Sequence, residues 1–272
     1  MNLCDNVRDF SYAVFDYLSE VFSYELGFSE LGLTDHFIVK LARFSRRVPF
    51  KVEVYKTSWQ VETVFGNDID LFVEDASGQY DWYALQAKVM SHKGQFKDLK
   101  IKLGKKTKKG GRVFKLQQWH KLLLHEHLFG SQAFYLLYVG KSKTNFPTAA
   151  PIKHDCRGLA PLEDYGLSLV PALDIMNTVT RTTPLQFNKV FPNLTVPISS
   201  IICCPGALPP TSSAARKFNR DEIDTSAYKL VYARDEDEDP YQGLNHPDNF
   251  RPNGFAKVRI IVGRNLDVTS AR

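Results

Sequence analysis

Apolar residues set the first rhythm of the chain. Phe10, Val14, Phe15, Leu18, Val21 and Phe22 recur at intervals of three and four, and so do Phe37, Ile38, Leu41 and Ala42. That spacing predicts two amphipathic helices separated by a break around Gly27 to Gly32, with Thr34 as N-cap of the second. The period then changes to two. Val48 to Tyr55 alternates as a strand does, and Asp68 to Val73 and Trp82 to Val89 read as two more, joined by the turn-rich Asp75-Ala76-Ser77-Gly78. After a lysine and glycine loop at Gly104 to Gly111, Phe114 to Phe129 predicts a helix. Ala133 to Val139 predicts an apolar strand bounded by Gly130 and Gly140. Beyond Phe146 the patterns weaken. Leu167 to Met176 suggests the start of a helix and Thr195 to Cys203 a strand, and loop-forming residues from Pro205 onward end in a last strand at Ala256 to Val262.

These elements imply an α/β fold: a mixed central sheet carrying the hairpin, flanked by helices. Residues 1 to 146 would form the core, and residues 147 to 272 a loop-rich C-terminal extension packed on it. No internal repeat is visible.

The composition of the 272 residues, 43% apolar and 24% charged, is that of a folded globular protein rather than a disordered one. The first ten residues carry Asp5, Arg8 and Asp9 and lack the apolar stretch of a secretion signal, and no uncharged apolar run approaches the roughly 18 residues of a membrane span. Cys4, Cys156, Cys203 and Cys204 show no C-x-x-C spacing. The expectation is therefore a reduced, cytoplasmic chain without a disulfide framework, a zinc site or a membrane partner.

The net charge of +5 is small, but its distribution is uneven. Between Lys93 and Lys121 eleven basic residues face the single acid Asp98, whereas Asp235 to Asp239 is wholly acidic. Lys93, Lys102, Lys105, Lys106, Lys108, Lys109 and Arg112 are candidates for phosphate contacts, since clustered cations release counterions from a nucleic acid without reading its sequence. The competing reading is a solvated basic loop. The histidines His120, His125 and His127 read as helix-surface residues, and Trp59, Trp82 and Trp119 as core.

The chemistry concentrates between Glu62 and Lys88. Two residues apart on a strand share a face, so Asp68 and Asp70 point together, as do Gln86 and Lys88 on the next strand. Pairing the two strands gathers carboxylates, an amide oxygen and an ammonium, which suits a hard divalent cation beside a phosphate. Mg2+ or Mn2+ held by an aspartate and the Gln86 amide would polarise a scissile phosphate and acidify a water. Lys88 would orient that water or offset developing charge. Glutamine is a weak ligand, so a further carboxylate is needed: Asp68 and Glu62 are nearest in sequence, and Glu30 and Asp35 are candidates through space. The same residues also fit a hairpin edge with ordinary surface charges.

This arrangement resembles the PD-(D/E)XK restriction-endonuclease-like superfamily in its Gln-x-Lys, Mrr-type variant, over about residues 10 to 140. Asp70 matches the motif aspartate, Gln86 the variant ligand and Lys88 the catalytic lysine, with an N-terminal helix able to lend a glutamate. A second resemblance is to an uncharacterised bacterial family with Glu-x-x-x-Gly-x-Asp before Gln-Ala-Lys, and with Leu-Thr-Asp near its N-terminus. Glu62, Gly66, Asp68, Gln86-Ala87-Lys88 and Leu33-Thr34-Asp35 echo it. The two place the weight on different aspartates and leave the principal ligand open. The resemblance implies a Mg2+- or Mn2+-dependent endonuclease acting on DNA more than RNA, with restriction or defence as context and a homodimer as one assembly able to cut both strands. The alternative is an inactive nucleic-acid-binding module of the same fold.

Overall fold

The structure is a computed structural model. It describes residues 3–47, 52–57, 67–96, 99, 102–103, 116–143, 154–155, 158–179, 184–206, 208–226, 228–231 and 256–263. Glu62, Lys105, Lys106, Lys108, Lys109, Arg112, Trp59, Cys156 and the acidic run 235–239 lie outside these residues.

The two N-terminal helices are α1, Leu3–Ser23, and α2, Glu30–Arg47. Both exceed the spans of their apolar positions. Thr34 is not the cap of α2 but sits one turn inside it, its hydroxyl donating to the Glu30 carbonyl at 3.0 Å. Helix α1 buries Phe10, Val14, Leu18 and Phe22 in the main core. It is held from the middle of the chain as well. Arg8 donates to both oxygens of the fully buried Asp164 at 2.9 Å each, and Ser11 donates to the Asp164 carbonyl at 2.6 Å. A Cβ at Gly166 would overlap the Ser11 carbonyl, so glycine is what lets this segment touch α1.

Nine strands form one sheet among the described residues. In chain order they are β1 Val52–Lys56, β2 Ile69–Glu74, β3 Tyr80–Val89, β4 Gln132–Tyr138, β5 Leu167–Pro171, β6 Val196–Pro197, β7 Lys217–Phe218, β8 Lys229–Leu230 and β9 Val258–Val262. Their spatial order is β6-β5-β4-β3-β2-β9-β1-β8, with β7 also paired to β3. The β3·β4 and β2·β9 pairs are parallel and the rest antiparallel, which makes the sheet mixed. The remaining helices are α3 Gln118–Phe129, α4 Ala172–Thr178, α5 Phe187–Val190 and α6 Ile198–Cys203. The fold is thus α/β, with a large mixed central sheet flanked by helices. No helix among the described residues is long and apolar enough to cross a membrane.

Residues beyond 146, expected to form an extension packed on the core, supply strands to the sheet itself, and β9 lies between β2 and β1. Two expected elements change type. Leu167 to Pro171 is the strand β5, with helix α4 beginning only at Ala172. Of Thr195 to Cys203, only Val196–Pro197 is strand, Thr195 lies just before it, and Ile198–Cys203 is helix α6. The expectation of no disulfide is also corrected: Cys4 and Cys203 are bonded, with Cα atoms 5.5 Å apart, inside the range that a disulfide spans. Their separation of 199 residues hid the pair, because only the packing of α1 on α6 brings them together.

Candidate active site

Strand β3 is central, buried from Tyr80 through Lys88 and flanked by β2 and β4. A buried charge costs several kcal/mol unless it is compensated, so Lys88, 5% exposed on this strand, requires a partner. The partner is Glu30, in the first turn of α2: the Lys88 ammonium donates to its Oε2 at 3.1 Å and its Oε1 at 3.4 Å. Fifty-eight residues separate the two in sequence. Behind them the Thr34 and Tyr138 hydroxyls meet at 3.0 Å in a buried contact. Burial pushes the Tyr138 phenol up from its ordinary value, so it stays a neutral hydroxyl. Asp35 points away, exposed, and lies 3.9 Å from Lys56.

Asp68 stands one residue before β2 and is partly buried. Its amide donates to the Leu85 carbonyl at 2.8 Å, which continues the β2–β3 ladder. Its Oδ2 accepts from the Ala87 amide at 3.0 Å and from the Gln86 side-chain nitrogen. Burial raises the Asp68 carboxyl above its ordinary value, against the Ala87 hydrogen bond and the charges of Lys88 and Lys257, which pull it down. A carboxyl held up by desolvation gains strongly from an arriving cation. The side-chain nitrogen of Gln86 is turned to Asp68 and to the Ala87 carbonyl, leaving the amide oxygen as its remaining donor atom.

Asp70 lies on the same strand face but in a closed environment. It is fully buried, and its two oxygens accept four hydrogen bonds. Asn67 Nδ2 donates to Oδ1 at 2.8 Å and Trp82 Nε1 at 3.0 Å, while the Ala256 amide donates to Oδ2 at 3.2 Å and Arg259 Nη2 at 2.9 Å. Arg259, 1% exposed, lies over the rings of Tyr228, Phe72 and Trp82 at 4.7, 5.3 and 5.9 Å. Asp70 therefore offers no oxygen to a solvent-borne ion, although it was expected beside Asp68 as a ligand. Arg259 was not expected as its partner; the signal that points to it is a lone arginine inside the apolar run Val258 to Val262.

The structure thus gathers Glu30, Asp68, Gln86 and Lys88, and sets Asp70 apart. Among the described residues no group of three or more His, Cys, Asp or Glu side chains stands ready to hold a metal ion. Of the basic run, Lys93 is exposed in a turn just after β3, and the backbone of Lys102 pairs with Gln117. His125 is not on the surface, as expected from its helix, but fully buried, its Nδ1 2.8 Å from the Ser131 hydroxyl and its ring edge-on to Trp82.

One family model matches the chain, over residues 3–258; its description is family of unknown function (DUF6615). No curated protein and no solved structure matches.

Proposed function

The chain belongs to the DUF6615 family, and for it we propose a metal-dependent nuclease of restriction-endonuclease-like fold that hydrolyses phosphodiester bonds in DNA. The observation that carries the reading is the buried Lys88, paired with the partly buried Glu30 and set beside the Asp68–Gln86 pair, on a strand where apolar residues would cost less. A carboxyl raised by desolvation beside a specific charge partner is the signature of a candidate functional site.

The donors fit a small hard cation. Two carboxylates, Asp68 and Glu30, and the amide oxygen of Gln86 are oxygen ligands, and Mg2+ is commonly held by one or two carboxylates completed by water and substrate phosphate. Asp68 would be the principal ligand, because Asp70 is committed to Arg259. When bound, the ion would supply Lewis acidity to a phosphate oxygen and to a water.

The chain's own residues do the rest. Glu30 holds the Lys88 ammonium, so that its charge is fixed in direction before substrate arrives. Gln86 fixes the rotamer of Asp68 by donating to it. The Ala87 amide holds the same carboxylate from the strand backbone. Exposed Lys93 lies just beyond β3, on the path a polyanion would take toward the site.

The test is a cleavage time course on supercoiled, linear and single-stranded DNA and on RNA, with Mg2+, Mn2+ or EDTA. Metal-dependent DNA cleavage that falls about 10²- to 10³-fold in Lys88→Ala is the expected outcome. DNA binding that weakens with salt, with no cleavage in any condition, would instead make the chain a binding module and sink the nuclease reading.

A further inference from the structure

We infer that Lys257 is the substrate-facing cation of this site and binds a phosphate of the nucleic-acid backbone; this rests on the nuclease reading. Strand β9 runs parallel to β2, with Val258 opposite Ile69 and Arg259 opposite Asp70. The Val258 amide donates to the Asp68 carbonyl at 3.3 Å, so the ladder extends one residue further back and sets Lys257 beside Asp68. Residues opposite each other in neighbouring strands project from the same face. The pair two residues further on shows the geometry closed: Arg259 and Asp70 meet at 2.9 Å. Register therefore builds one row across three chain segments, Lys257 one residue before β9, Asp68 one residue before β2 and Gln86 on β3.

The two rows differ in what covers them. Arg259 is sealed beneath aromatic rings, whereas Lys257 is exposed and its ammonium makes no ion pair among the described residues. Asp68 already accepts from Gln86 and Ala87, which leaves Lys257 close enough to act on its charge but not bound to it. Of the two lysines flanking Asp68, Lys88 is buried and held by Glu30. Only Lys257 can swing to an incoming anion. The division of labour follows from burial: Lys88 is a fixed charge, and Lys257 captures. A flexible ammonium is a point charge without base selectivity, so the ligand is backbone phosphate rather than a base edge.

The experiment compares wild type, Lys257→Ala, Lys257→Arg and Lys189→Ala, an exposed lysine on α5 that removes the same charge elsewhere. Initial rates of DNA cleavage in Mg2+ are measured against substrate and salt concentration. Lys257→Ala should raise KM about tenfold with kcat within about threefold of wild type, and should shallow the salt dependence of KM by about one phosphate contact. Lys257→Arg should restore most of the loss, and Lys189→Ala should match wild type. An unchanged KM and salt slope in Lys257→Ala overturns the inference while leaving the nuclease reading intact. So does a fall in kcat like that of Lys88→Ala at unchanged KM. A wild type that cuts nothing overturns both, and is distinguishable because no variant then differs.

Discussion

Asp68 and Asp70 are the same residue type, two positions apart on one face of one sheet, and they have opposite circumstances. Asp70 has four donors, no exposure and an arginine partner from β9. Asp68 has two donors from β3, partial exposure, and a neighbouring lysine that does not close onto it. The difference comes from depth along the shared strands rather than from local sequence. Inside the sheet, Phe72, Trp82 and Tyr228 wall off the ion pair; at the strand's beginning those walls end. A carboxylate stays partly exposed where a strand enters the sheet, and is sealed one turn of the pleat later.

That contrast can be broken most severely at Arg259. Replacing it by alanine strands the Asp70 charge in the core, and urea denaturation should show a loss of about 3–5 kcal/mol. A change below about 1 kcal/mol would mean that Asp70 is neutral or hydrated, and the contrast would collapse. Asp68→Asn should do the reverse, lowering metal-dependent DNA cleavage about 10²- to 10³-fold while leaving the urea midpoint nearly unchanged. Equal loss of activity and stability would put Asp68 among the structural residues. The smallest effect is expected at Tyr138→Phe, which removes one hydroxyl from a buried contact with Thr34 and should cost about 0.5–1.5 kcal/mol by the same denaturation measurement. A cleavage loss as large as that of Asp68→Asn would instead assign the Tyr138 hydroxyl to the chemistry.

Local period carried much of the fold. The α1 stripe stands in the sequence because the helix has one face in the core and one outside it, and β2 and β3, though buried on both faces, alternate because polar Asp70, Gln86 and Lys88 share one face. Strand β5 is harder to see: Leu167 to Val170 is also buried on both faces but carries no charged residue to mark one of them. Helix α6 hides behind β-branched isoleucines whose strand preference suggests extension, although Ile198, Ile201 and Ile202 fall at helical spacing. The site divides in the same way. Gln86 and Lys88 are legible because their relation is two residues along one strand. Arg259 is not, because it reaches Asp70 from 189 residues away through strand order. Glu30 lies between these cases, a candidate through space whose contact with Lys88 depends on how α2 docks.

The position of β9 has a temporal consequence. A ribosome must deliver the whole matched region, through Val258 and on to Val262, before the strand between β2 and β1 is complete. Until then Asp70 has no counter-ion and the row from Lys257 to Gln86 is missing its first member. Such a non-local closure forms late, since long loops must be closed before their contacts repay the entropy. On the nuclease reading, a nascent chain of this kind would lack its phosphate-binding cation until the last strand of the sheet is added.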